Sequence, residues 1–217
     1  KEKNLVVIHT VSLFVFIAVT SLTYTQAGLE LDQVITHWLI KFKDTLIGSS
    51  MKYISVLGSS EFILICTLFL LLCLMFKRDW YNSLFLCAVT FGGILLNLVL
   101  KIAFQRERPE DMHSIEVFSY SLDIPSYSFP SGHTMRAVVM CLFLIYISSL
   151  LFKKGFTRMV SYVICITIII AVAASRILLG FHFPSDTVAA VSISIVWFTF
   201  CLYFFPFIIE IIKRQRA

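Results

Sequence analysis

The stretch that decides the fold is "FPSGHTMRAVVMCLFLIYISSLLFKKG", residues 129–155. Its body, from about 131 to 152, is apolar and long enough for a membrane helix, which needs about 20 such residues. Lys153 and Lys154 close it. Its mouth carries Pro130, Gly132 and His133, none of which improves a span. A helix-start turn placed at a membrane boundary needs a reason.

The rest of the chain reads the same way. Its 217 residues are 59% hydrophobic and 14% charged, with mean hydropathy +0.89. Soluble domains carry nearer a quarter charged residues, so the composition excludes a soluble domain with a large core. Five further apolar runs are expected as spans, at about 4–25, 60–76, 80–103, 157–178 and 184–210. The first is expected to be retained, because its apolar run is long and "TYTQAG" is a poor cleavage site. Between the first two runs, Leu31, Val34, Ile35, Trp38, Leu39 and Phe42 fall on one helical face. That pattern predicts an amphipathic helix in the membrane interface, with Glu30 and Asp32 turned elsewhere; a soluble loop helix packed on the bundle is the alternative. The expected fold is therefore all-α: one domain over 1–217, an integral bundle of six transmembrane helices plus that interfacial helix.

The net charge of +5 reflects basic residues flanking apolar runs, so it signals orientation rather than nucleic-acid binding. With both termini cytoplasmic, Lys1, Lys3, Lys77, Arg78, Lys153, Lys154, Arg158, Lys213, Arg214 and Arg216 all lie inside. The outer side keeps Lys41, Lys43, Lys52 and Arg106, diluted by Glu30, Asp32, Asp44 and Glu61. This is the expected topology, in the cell membrane. The six cysteines lie in apolar runs without a CxxC pair and read as packing residues.

Ionisable groups at an apolar boundary are costly and mark function. Lys101 and Arg108 close the third span, His133 opens the fourth, Arg176 closes the fifth, and His182 and Asp186 open the sixth. All are predicted at one level, on the outer side. Ser131 is a candidate N-cap, and Gly132 lets a backbone approach closely. Free amides at a helix start favour an anion. Beside Lys101, Arg108 and Arg176, that anion is expected to be phosphate. Asp186, four residues after His182, suits a carboxylate that fixes the imidazole tautomer and leaves the other nitrogen to attack. His133 is then the general acid. Arg136 shares the His133 face, and its roles in tuning the site, pairing a carboxylate or packing stay open. Asn97 is read as an interhelical hydrogen-bonding residue or a support for Lys101. His9, His37 and His113 read as structural, and the loop 105–129 as a candidate lid.

Three blocks carry a family resemblance. "KIAFQRERP" (101–109) fits K-x6-R-P, "PSGH" (130–133) fits P-S-G-H, and "SRILLGFHFPSD" (175–186) fits S-R-x5-H-x3-D. Together they resemble the type 2 phosphatidic acid phosphatase family, membrane lipid phosphatases whose site is similar to that of vanadium haloperoxidases. The resemblance implies phosphatase chemistry without metal or cofactor, through a phosphohistidine on His182 oriented by Asp186, with acid catalysis by His133. It implies phosphate binding by Lys101, Arg108, Ser131, Gly132 and Arg176. The expected partner is a lipid phosphate in the membrane. Phosphatidylglycerol phosphate is the first expectation; undecaprenyl pyrophosphate and phosphatidate are the alternatives. An anionic-lipid transporter or binding protein is the non-enzyme alternative, and a haloperoxidase a third class.

Overall fold

The computed structural model describes residues 2–109, 115–117, 120–122, 127–152 and 155–215. Among these the chain forms eight helices. They are α1 (Glu2–Leu22), α2 (Gln26–Ile40), α3 (Leu46–Val56), α4 (Ser60–Phe76), α5 (Trp80–Phe104), α6 (Gly132–Leu151), α7 (Phe156–Leu178) and α8 (Pro184–Gln215). Polar caps mark the starts the sequence suggests. Thr25, Ser59, Asp79 and Ser131 each accept a backbone amide from the first turn of the helix that follows.

Five of the described helices, α1, α5, α6, α7 and α8, are long and apolar enough to cross a membrane. The expected span over 60–76 is the exception. α4 has 17 residues and reaches spanning length only together with α3, from which it bends by 41°. Many large apolar side chains face outward, among them Phe14, Phe69, Phe76 and Ile170, as an apolar surrounding requires. The chain is thus a multi-pass helical membrane protein.

Two sequence expectations change in detail. The segment between the first two runs makes two helices, α2 and α3, rather than one. On α2 the buried residues are Asp32 and Thr36, while Leu31, Val34 and Trp38 point outward. The polar stripe turns inward because it meets charged partners there, described below. The fold is also not purely α. Within the expected lid loop, β1 (Ile115–Val117) pairs antiparallel with β2 (Tyr120–Leu122), and Val117 stands opposite Tyr120. His113, Glu110, Asp111, Phe118 and Asp123 of that loop lie outside the described residues.

The bundle is tied by small and polar contacts, as membrane helices require. Trp197 of α8 packs flat against α5 because Gly92 has no side chain; a Cβ there would meet the indole at 2.3 Å. Trp197 Nε1 donates to the Val89 carbonyl at 3.0 Å. His9 bonds Thr199 at 2.8 Å, joining α1 to α8, which gives that histidine the structural role expected of it. His37 bonds its own helix at the Gln33 carbonyl. The six cysteines are free, and three of them are buried.

Candidate active site

The site is built where α5, α6, α7 and α8 end or begin. α7 stops at Leu178, and Gly180 takes the left-handed conformation (φ 79°) that commonly ends a helix. The following amides of Phe181 and His182 both return to the Arg176 carbonyl, at 3.1 and 3.2 Å. That turn sets His182 at the bundle's edge of α7 and buries it to 2% exposure. Pro184 then starts α8, which carries Asp186 in its first turn.

His182 and Asp186 face each other as their spacing predicts. His182 Nδ1 lies 3.5 Å from Asp186 Oδ2, and both side chains are buried. Asp186 Oδ2 also accepts the Phe183 amide at 2.9 Å. Burial pushes the His182 pKa well below its usual value of 6.5. The charges of Arg176, Arg108 and Lys101 push the same way, and a hydrogen bond with the Ser128 backbone opposes them. Its imidazole is therefore neutral, with a lone pair to offer.

The predicted cations gather around it. Lys101, in the last turn of α5, donates to the Tyr127 carbonyl. Arg176 is 6% exposed, donates from Nη1 to Ser55 Oγ at 2.7 Å, and lies over the Phe181 ring at 4.0 Å. Its Nε is buried without a partner. Arg108 follows α5 in the loop; burial lowers its pKa, and the charge of Asp186 acts against that.

The P-S-G-H turn is held in place from two sides. Asn97 donates to the Pro130 carbonyl at 3.0 Å and contacts Met135 Sδ. Its role is interhelical, as the simpler of its two readings had it. The Ser131 amide donates to the Asp186 carbonyl at 3.2 Å, and its hydroxyl oxygen accepts from Thr134. So of Ser131's two donors, the amide is spent on the fold and the hydroxyl hydrogen remains. Gly58, at the bend between α3 and α4, presses on the same turn; a Cβ there would stand 2.7 Å from the His133 carbonyl.

Arg136 resolves in favour of the site. Its Nε donates to the Gly58 carbonyl at 3.0 Å, and its Nη2 lies 3.2 Å from His133 Nδ1. A guanidinium can only donate. Nδ1 of His133 must then accept, which puts the ring proton on Nε2.

Two residues were missed by sequence reasoning. Arg106, read only as an outer-side basic residue, donates from Nη1 to Asp186 Oδ1 at 2.7 Å. Asp32, read as part of a solvated face, accepts from Arg106 Nη2 at 2.7 Å. The available signal was position: Arg106 lies between two cations already singled out, and Asp32 recurs with Thr36 at helical spacing.

Comparisons with known proteins bear on the family. Residues 82–210 match the PAP2 superfamily. Phosphatidylglycerophosphatase B of Bacillus subtilis is 30% identical over 191 residues, covering 87% of this chain and 90% of that protein. Lipid A 1-phosphatase of Rhizobium johnstonii is 32% identical over 124 residues, covering 56% of this chain and 46% of that protein. Among solved structures, a transmembrane PAP2 type phosphatidylglycerolphosphate phosphatase from Bacillus subtilis superposes with TM-score 0.77 at 25% identity. The match covers 90% of this chain and 94% of that one. LpxE of Aquifex aeolicus shares the fold, with TM-score 0.56 at 24% identity over 81% of this chain and 94% of its own. A histidine and carboxylate facing each other among buried cations, on a fold and sequence of this kind, place the chain in the PAP2 superfamily.

Proposed function

We propose that this chain is a lipid phosphate phosphatase that works through a phosphohistidine on His182. The observation that carries the reading is the pairing of His182 with Asp186 inside a cluster of cations. Nδ1 faces the carboxylate, so Nε2 is the attacking nitrogen. The N–P bond forms as the P–O bond to the lipid alcohol breaks. The leaving oxygen takes the Nε2 proton of His133 in its imidazolium form, which the bound phosphate anion favours and for which the Arg136 contact at Nδ1 opens. Water, deprotonated by the same nitrogen, then attacks phosphorus and frees His182. Lys101, Arg108 and Arg176, with the Ser131 hydroxyl and the Gly132 amide, hold the phosphoryl oxygens as charge grows on them. The 3.5 Å gap between His182 and Asp186 is long for a hydrogen bond and tightens when substrate binds. The side chains supply nucleophile, acid and counter-charge, so the reading calls for no metal or cofactor.

The substrate is a phosphate monoester on a membrane lipid, phosphatidylglycerol phosphate first. The name and coverage of the Bacillus subtilis relative support that choice. The topology that suits this chemistry has six spans, with α3 and α4 acting as one, over a single domain 1–217 in the cell membrane. Both termini are cytoplasmic and the site faces the outer side, with α2 lying in the interface. The test is inorganic phosphate release by detergent-purified protein in EDTA, with phosphatidylglycerol phosphate, phosphatidate and undecaprenyl pyrophosphate. Release abolished by His182→Ala supports the mechanism, and the ranking of lipids names the substrate. Equal release by both proteins, or none from any lipid, refutes it and brings forward an anionic-lipid transporter.

A further inference from the structure

We propose that Arg106, locked by Asp32 of α2, is a positioning residue that aims Asp186 at His182 and so makes α2 part of the active site. This rests on the phosphohistidine reading above.

The chain delivers Arg106 by an unusual turn. α5 ends at Gln105, a non-glycine residue in the left-handed region (φ 47°), which turns the chain sharply after the helix. The Arg106 guanidinium then meets four groups at once. Nη1 donates to Asp186 Oδ1 and to Ser185 Oγ, both at 2.7 Å. Nη2 donates to Asp32 Oδ2 at 2.7 Å. The flat face lies 4.4 Å from the Phe183 ring centroid. A planar fork used on both edges and stacked on one face has little freedom left.

Each oxygen of Asp186 is thereby assigned. Arg106 takes Oδ1; the Phe183 amide shares Oδ2, which is the oxygen facing His182. The carboxylate is fully buried, and a buried charge persists only with a counter-charge and hydrogen bonds. Arg106 supplies the first and one of the second. With the Phe183 amide and the Ser128 side chain, it sets the charge and the rotation of the group that orients the nucleophile.

Asp32 completes the lock. It is 4% exposed and accepts the Ser185 amide at Oδ1, 3.0 Å, at the first turn of α8. Its Oδ2 also accepts the Ser185 hydroxyl. A carboxylate at a helix start is favoured by the unpaired amides there. The same side chain thus anchors α8, which carries Asp186, and Arg106, which holds Asp186. On α2 only Asp32 and Thr36 are buried, and this node ties that helix to the bundle.

The test is steady-state hydrolysis of dioctanoyl phosphatidate by the full chain in detergent. Arg106→Gln, Arg106→Lys, Asp32→Asn and the Asp32→Asn/Arg106→Gln double variant are compared. Orthovanadate inhibition reads the phosphate site independently, and thermal midpoints read the fold. Misplacing a catalytic group by about 1 Å costs about a hundredfold. Arg106→Gln is expected to lower kcat by about that factor, with KM and vanadate inhibition held within about twofold. Arg106→Lys recovers part of the loss, because charge returns without the fork. Asp32→Asn loses about tenfold, and the double variant is no worse than Arg106→Gln, because both act through one carboxylate. The proposal is overturned if Arg106→Gln keeps wild-type kcat. It is equally overturned if vanadate inhibition and thermal midpoint fall in step with kcat, or if the two losses multiply. Should Arg106→Gln fail to fold, Asp32→Asn decides by the same readouts. An active His182→Ala would instead sink the phosphohistidine reading itself, whereas a dead His182→Ala beside a fully active Arg106→Gln sinks only this inference.

Discussion

The two ends of the bundle are built from opposite chemistry. One end gathers Phe85, Val89, Val139, Phe143 and Phe198, all buried, with Tyr146 and Phe205 packed around Phe85 at ring-centroid distances of 5.2 and 5.5 Å. The other gathers Lys101, Arg106, Arg136, Arg176, His133, His182 and Asp186. Helices α5, α6 and α8 contribute to both, and α7 adds Arg176 to the second. On α5 the two ends, marked by Phe85 and Lys101, are 16 residues and about 24 Å apart. The comparison shows a division of labour. The aromatic end is held by shape. The charged end is held by pairing, and in it hydrogen-bond donors are left over, as at Arg176 Nε.

The sharpest way to break this division is to exchange the effects. His182→Ala should reduce phosphate release by about 10⁴-fold or more, the scale seen when an essential nucleophile is removed. Its thermal midpoint should stay near that of the wild type; a collapse of the fold would show that the charged end also carries stability. The converse variant is Phe85→Ala. It should cost about 3 kcal/mol of stability by emptying an aromatic site, with kcat unchanged in the folded fraction. Denaturant titration in mixed micelles reads the first, and activity per folded molecule reads the second. Lost kcat without lost stability would erase the comparison.

A third test uses pH. His182 has its folded-state pKa below 6.5, so below that value the unfolded chain takes up a proton that the folded chain refuses. Its contribution to stability is complete above 6.5 and declines as pH falls toward the folded value. Between pH 6.5 and 5 the wild type should lose up to about 2 kcal/mol more than His182→Gln. Parallel pH curves would show the imidazole to be less buried than the structure has it. The smallest effect is expected at Arg136→Leu. Without the contact at Nδ1, the resting orientation of the His133 ring is no longer fixed, and kcat should fall about tenfold with KM little changed. An unchanged kcat would return Arg136 to a packing role.

Much of the charged end was legible in the sequence, because polar residues stand out in apolar runs. His182 and Asp186 showed their relation through helical spacing, and the structure brings them to 3.5 Å. Span limits were legible for the same reason: "FKRD" and "LFKKG" are plain stops. What stayed hidden was anything whose meaning depends on a distant partner. Asp32 sits 74 residues from Arg106 and 153 from Ser185. Amphipathic reasoning turned it outward, since a polar stripe is ordinarily the wet one. Here the stripe is needed inside, and Leu31, Val34 and Trp38 are what the helix shows to its surroundings. The α4 span was hidden for another reason. Its apolar count was correct, but the bend at 57–59 divides the crossing length between two helices. The Gly58 contact with His133 shows what that bend presses against.

The bond from the Ser131 amide to the Asp186 carbonyl has a consequence for how such a protein changes over time. It joins the turn that bears His133 to the helix that bears Asp186, and both atoms belong to the main chain. The two segments are therefore tied by a contact that does not depend on the side chain at either position, proline at 131 excepted. Neighbouring side chains are free to drift while that contact holds.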